Sequence, residues 1–280
     1  QGDNGRLLPL QKMKYINKLI LFDIDGTLTV KDRNVSLIHL KKIIGLYKAR
    51  GALFGINTNR PIKDALPLYR ALKLNGPIIV EDGAYYKLNM SKPSKIAVKG
   101  TPKLNRQIIN FLRNWSKTRI GRKFTFKASG NKAHLSSKRI PALILITPQR
   151  IFTASIYVRI QGKKNTKALQ VIYELLQKKF QNKLKLAFFK KNLLQGKILV
   201  GNLKTSRLNT LRQIGCKFFK FRDMLLISDD ECVPRVVSNS KIHFASVCNG
   251  VAEYKKRCTY VANQNGAKGI IWIVKKFLES

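Results

Sequence analysis

The sequence is poor in acid. Only 14 Asp and Glu stand against 55 Lys and Arg, a formal net charge of +41. Self-repulsion of that size opposes a compact state unless salt or polyanions screen it. Two readings of the surplus stay open: an anionic partner such as nucleic acid, a ribosome or a membrane surface, or solvated basic faces with no specific partner. Long apolar runs are also lacking. None approaches the ~20 residues that a membrane crossing requires, and the longest, 142–146 and 270–274, are of strand or short-helix size. His39, His134 and His243 are scattered, which gives a histidine-based catalytic arrangement little support. The four cysteines, Cys216, Cys232, Cys248 and Cys258, carry no CxxC pair and no zinc spacing, so they read as free thiols in a reducing compartment. The chain begins at Gln1 rather than Met and shows no signal-peptide pattern. The expected location is the cytoplasm, or an organelle matrix if an N-terminal segment has been removed.

What is present is enough for a core. At 280 residues and 44% hydrophobic, the chain can form one large domain or two modest ones. The few acids are also grouped. Between Gly83 and Arg222 the only acid is Glu174, while Asp23/Asp25, Glu81/Asp82 and Asp229/Asp230/Glu231 form three clusters. Grouping carboxylates in a chain so short of them points to a task for each group.

The first cluster sits in Leu19–Val30, LILFDIDGTLTV. Leu19–Phe22 reads as a buried strand. Asp23 and Asp25, two residues apart at its end, project to one side of the backbone, and Gly26 permits a sharp turn. A turn after a strand explains one acid more easily than two. Two buried acids this close are tolerable only with a cation or a shared proton between them, an arrangement that suits Mg²⁺ beside a carboxylate nucleophile.

The rest of the chain reads as α/β. Residues 1–16 form a polar, basic lead-in. Residues 36–50 have helical spacing, with Leu37, Leu40, Ile43, Ile44 and Tyr47 on one face. A second buried strand at 52–56 completes a β-α-β unit, which implies a parallel sheet. A helix at 62–74 and a strand at 77–80 follow. From 85 to 199 the pattern becomes α+β: a helix at 104–115, a basic stretch of low hydrophobicity at 117–138, strands at 142–147 and 152–160, a helix at 165–180, and strands at 184–189 and 196–200. Phe124, Phe126, Phe152 and Tyr157 interleave with basic residues here, at a strand spacing that reads as core. A helix at 205–214, a strand at 224–227 and a final helix at 270–278 close the chain.

The DxDGT pattern of Asp23–Thr27 resembles the haloacid dehalogenase (HAD) superfamily of phosphatases, and further segments resemble it in order. Thr58-Asn59-Arg60-Pro61 is similar to the family's TGRP turn. Glu81-Asp82-Gly83-Ala84 resembles the NGA step before the cap in Cof-like members. Gly201-Asn202-Leu203-Lys204 resembles GVSK, and Ser228-Asp229-Asp230-Glu231-Cys232-Val233 resembles GDDEND. Segments 244–256 and 259–270 resemble the family's closing motifs. The resemblance implies a Rossmann-like parallel-sheet core at 17–84 and 200–280, with an inserted α+β cap of C2 type at 85–199. It also implies roles: Asp23 as nucleophile, Asp25 as acid and base, Thr58 and Lys204 on the phosphoryl group, with Asn59 and Arg60 beside it. Mg²⁺ would be held by Asp23, Asp25 and Asp229, with Asp230 as a compensating acid. Ser228, Cys232 and Val233 depart from the pattern, and the loss of a carboxylate at Val233 weakens the metal site. In so lysine-rich a chain the position of Lys204 carries its assignment, and Lys197 is the alternative.

The function implied is Mg²⁺-dependent hydrolysis of a small phosphorylated metabolite, such as a sugar phosphate, through an aspartyl-phosphate. Two alternatives remain open. One is a weakly active or inactive relative that binds RNA or a ribonucleoprotein through its basic surface. The other is a phosphatase for nucleic-acid ends.

Overall fold

The computed structural model of the chain describes residues 17–29, 33–93, 95–97, 104–118, 124–129, 132–137, 142–146, 150–160, 163–164, 166–181, 183–189, 197–218, 223–229 and 242–280. The expected lead-in at 1–16, together with Asp230, Cys232 and Val233, lies outside them. In chain order the elements are β1 (Leu19–Phe22), α1 (Arg33–Ala49), β2 (Leu53–Asn57), α2 (Ile62–Ala71), β3 (Ile78–Val80), β4 (Tyr85–Lys87), β5 (Lys95–Ile96), α3 (Leu104–Ser116), β6 (Phe124–Ser129), β7 (Lys132–Ser137) and β8 (Ala142–Ile146). There follow β9 (Ala154–Ile160), β10 (Lys163–Lys164), α4 (Thr166–Phe180), β11 (Leu184–Phe189), β12 (Lys197–Asn202), α5 (Arg207–Phe218), β13 (Met224–Ser228), β14 (His243–Ser246), α6 (Ala252–Lys255), β15 (Tyr260–Val261) and α7 (Gly266–Glu279).

Eight strands form one sheet in the order β15-β14-β13-β1-β2-β3-β4-β5. Its pairs are parallel from β15 to β3, and β4 and β5 add an antiparallel edge. The parallel α/β expectation is met for a simple reason. β1 is apolar at every position because both of its faces are covered. Ile20 and Phe22 face α1, α2 and α7, where Leu40, Ile44, Tyr69, Ile273, Val274 and Phe277 are buried. Leu19 and Leu21 face the other way, toward Leu208, Leu211 and Ile214 of α5 and Tyr254 of α6. Each such fully buried side chain contributes about 1.5–3 kcal/mol.

The strands between β5 and α5 build separately. β10-β9-β12-β11, with β8 also on β9, form an antiparallel sheet of five strands. α3 and α4 cover one face of it through Leu104, Ile108, Leu112, Leu169, Ile172 and Leu176. The basic stretch at 117–138, where Phe124 and Phe126 have strand spacing, contains a hairpin, β6–β7. Its alternation of Phe124 and Phe126 with polar residues is the period of a strand.

The junction between the two sheets is tight at Gly83. Its φ is +84°, and a Cβ there would stand 2.5 Å from the Ser206 carbonyl oxygen and 2.7 Å from the Arg207 nitrogen. Thr210 Oγ1 donates to the Gly83 carbonyl at 2.5 Å. The turn thus seats the start of α5 directly. Gly83→Ala should therefore destabilise the fold by about 1–3 kcal/mol, through strain and displacement of α5. A urea denaturation midpoint unchanged from wild type would contradict this seating.

Candidate active site

The site grows from strand ends. Phe22 pairs with Ile227 on one side and Ile56 on the other, so the next rung brings Asp23, Asn57 and Ser228 side by side. The Asp23 N–H donates to the Ile227 carbonyl at 2.8 Å, continuing the ladder. The Asp23 carboxylate is buried, and its Oδ1 accepts from the Ile24 N–H at 2.7 Å. Its Oδ2 accepts from Ser228 Oγ at 3.1 Å and from Arg207 Nη1 at 2.7 Å.

Arg207 is the residue that the sequence reading missed. Its side chain has 0% exposure, and Nη1 also donates to the Asn57 carbonyl at 3.0 Å. Lys204, assigned this position by resemblance, is instead exposed. The reason is local. β12 runs on through Asn202, and residues 203–206 then form the turn. Asn202 Oδ1 accepts the Lys204 N–H at 2.9 Å, Thr205 is pinned to the Asn202 carbonyl, and the helix begins only at Arg207. A helix expected from 205 put the wrong cation inward.

Asp25 is half-buried and gripped by Arg60. Nε lies 3.2 and 3.1 Å from the two carboxylate oxygens, and Nη2 lies 2.5 Å from Oδ1. This fork geometry matches the planar guanidinium to the Asp25 carboxyl group, and the hydrogen bonds to Asp25 raise the Arg60 pKa above its ordinary value. Arg60, expected at the substrate, thus orients Asp25. Thr58 is fully buried after β2, and its Oγ1 accepts the Arg60 N–H at 3.2 Å. Asn59 is also buried.

Asp229 comes to the same loop. Gly26, at φ +75°, has no room for a Cβ, which would stand 1.9 Å from Asp229 Oδ2. Thr27 Oγ1 lies 3.4 Å from Asp229 Oδ1, the Val251 N–H donates to the Asp229 carbonyl at 2.8 Å, and Asn249 Nδ2 donates to the Gly26 carbonyl at 2.8 Å. Asp229 therefore lies against the turn that follows Asp23 and Asp25. The available donors are hard oxygens: two carboxylates and the backbone carbonyl of Asp25. Among the described residues no group of three or more His, Cys, Asp or Glu forms a cage for a metal. Mg²⁺ does not require one, since it keeps several waters and is held by one or two carboxylates plus a phosphate.

Glu81 has a role that its motif did not disclose. Its buried carboxylate accepts the N–H groups of Ile151, Phe152 and Thr153 at 2.8–2.9 Å, and Thr153 Oγ1 at 3.0 Å. Asp82 binds Lys185 Nζ at 2.7 Å. The acidic turn is thus a tie from the first sheet to the second.

Breaking the buried pair should be costly, because one charge is then stranded. Arg207→Met is expected to lose about 3–5 kcal/mol of stability by urea denaturation, whereas Lys204→Ala should leave the midpoint unchanged. The reverse order would show that Lys204 serves Asp23.

Residues 20–214 match the family model of the haloacid dehalogenase-like hydrolases. No curated protein matches the chain in sequence. Among solved structures, a haloacid dehalogenase-like hydrolase from Bacteroides thetaiotaomicron is similar with a TM-score of 0.66 at 14% identity, over 92% of this chain and 98% of that one. A HAD-superfamily phosphatase of the same organism gives 0.63 at 15% identity, over 98% of each chain. A sucrose-phosphatase from Synechocystis, solved with sucrose and phosphate, gives 0.59 at 12% identity, over 94% and 98%.

Proposed function

The chain belongs to the haloacid dehalogenase-like hydrolases, and from that premise we propose that it hydrolyses small phosphate monoesters. The observation that carries this reading is convergence. Asp23, Asp25 and Asp229 meet at the carboxyl ends of parallel strands, where open α/β sheets place ligands, and a buried guanidinium stands on Asp23. The phosphatases among its structural neighbours, one of them a sucrose-phosphatase, support the same substrate class.

In this mechanism a carboxylate oxygen of Asp23 attacks phosphorus, the bond from phosphorus to the ester oxygen breaks, and an aspartyl-phosphate forms. Asp25 gives its proton to the departing oxygen. It then takes one from the water that attacks the aspartyl-phosphate, releasing phosphate and restoring Asp23. Arg60 fixes the Asp25 carboxyl on this path. Arg207 and the Thr58 hydroxyl meet the phosphoryl charge from fixed positions, so little reorganisation accompanies the reaction. Asp23, the Asp25 carbonyl and Asp229 would hold Mg²⁺, which when bound neutralises phosphoryl charge. The segment 85–199 acts as a C2-type cap over this site and excludes water. The Glu81 tie supports that role.

With p-nitrophenyl phosphate, turnover should require Mg²⁺ and fall by on the order of 10³ or more in Asp23→Asn. Arg207→Met should lower kcat/KM by roughly 10²-fold or more, while Lys204→Ala should stay within about threefold of wild type. Turnover that survives Asp23→Asn, or is indifferent to chelation, would contradict this mechanism.

A further inference from the structure

Four neighbouring parallel strands end in a polar rung. Asn57 of β2, Asp23 after β1, Ser228 of β13 and Ser246 of β14 lie side by side in register. Side chains alternate along a strand, so Asp23, Ser228 and Ser246 share a face with Leu21, Leu226 and Phe244, all buried among apolar neighbours. Asn57, Ser228 and Ser246 have no solvent exposure. A polar group buried this far costs free energy unless a hydrogen bond offsets it.

The two serines make different bonds. Ser246 Oγ donates to the backbone carbonyl of Val247 at 3.1 Å. Ser228 Oγ lies 3.1 Å from Asp23 Oδ2, and an ionised carboxylate can only accept, so the hydroxyl donates. Ser228 also stands where the pattern GDDEND has glycine. Its hydroxyl is thus an addition to that pattern, placed on the nucleophile.

Asp23 accepts two further hydrogen bonds, from the Ile24 N–H and from Arg207. The first belongs to the backbone, and loss of the second would strand a buried charge. Ser228 is the neutral side-chain donor, and it bears on the chemistry through charge. Hydrogen bonds to an ionised acceptor are the stronger ones. Asp23 is an anion as free carboxylate, whereas in the aspartyl-phosphate its remaining oxygen is a neutral carbonyl. The Ser228 bond therefore stabilises the carboxylate more than the acyl phosphate. It opposes attack on the ester and assists the second step. In that step a water oxygen bonds to phosphorus and Asp25 takes the water's proton. The bond from phosphorus to the Asp23 oxygen breaks, and its electron pair returns to the carboxylate.

Resting on the aspartyl-phosphate reading above, we infer that Ser228 is a positioning residue for the second half-reaction. It acts through Asp23, favouring release of the phosphoryl group to water, and does not touch the substrate. Acid quenching at saturating p-nitrophenyl phosphate with Mg²⁺ separates the two steps. Turnover divided by the fraction of chain carrying phosphate gives the rate constant for breakdown. Turnover divided by the remaining fraction gives the rate constant for attack.

Ser228→Ala removes one buried oxygen and leaves Asp23 with Arg207. It should slow breakdown about tenfold, the size of one hydrogen bond to a charged group, with attack at or above the wild-type rate. Phosphate on the protein should rise, and kcat and KM should fall together, so that kcat/KM does not fall. Ser228→Gly should do the same, since the hydroxyl and not the side-chain volume is what acts. Breakdown at the wild-type rate in either variant would overturn the inference. So would attack slowed as much as breakdown, the mark of a purely structural role. Turnover with no protein-bound phosphate in wild type or variants is a separate result, and it would overturn the aspartyl-phosphate mechanism together with this inference.

Discussion

A guanidinium with no solvent exposure lies 2.7 Å from a nearly buried carboxylate, and the arrangement of the site follows from that contact. Either charge alone in that place would be several kcal/mol unfavourable. Together they are tolerable because the remaining groups close around them. Ser228 and the Ile24 N–H share the Asp23 oxygens, and the Asn57 carbonyl takes a second Arg207 proton. Three neighbouring strands must end in register for this to occur, and α5 must begin where Arg207 points inward. The fold therefore fixes a carboxylate that water cannot easily reach.

The scarcity of acid acquires a meaning in this frame. Asp23 has Arg207, Asp25 has Arg60, and Asp82 has Lys185, while Glu81 holds three successive N–H groups just ahead of β9. Three of these acids define the site and its junction by pairing with basic side chains. The fourth uses the backbone, forming an anion nest from consecutive amides. Glu81 and Asp82 both have positive φ, at 51° and 60°, a strain of order 1–3 kcal/mol each that the surrounding contacts must outweigh. The junction is thus a built feature.

Much of this was legible in the residues. The apolar run before Asp23, the helical spacing of 36–50 and the apolar strand at 52–56 specify a parallel β-α-β unit with little ambiguity, because burial on both faces leaves no alternation. Asp229 was assigned by resemblance to a family motif, at a position that follows another buried strand. Arg207 was not legible, since choosing between Arg207 and Lys204 depends on where a turn stops and a helix starts, a matter of two residues that Asn202 and Thr205 decide. Glu81 gave no sign of its partners, because backbone N–H groups leave no mark in a sequence. Lys197 was noticed only as a rival to Lys204; its position on β12 opposite Tyr157 gives it a different place.

The most direct measurement concerns the bond that Asp23 is held to make. The chain would be mixed with p-nitrophenyl phosphate and Mg²⁺, quenched in acid, reduced with borohydride and mapped by peptide mass spectrometry. An aspartyl-phosphate at Asp23 predicts homoserine at residue 23 and at no other acid. Reduction at another carboxylate, or none while phosphate is being released, would contradict the account.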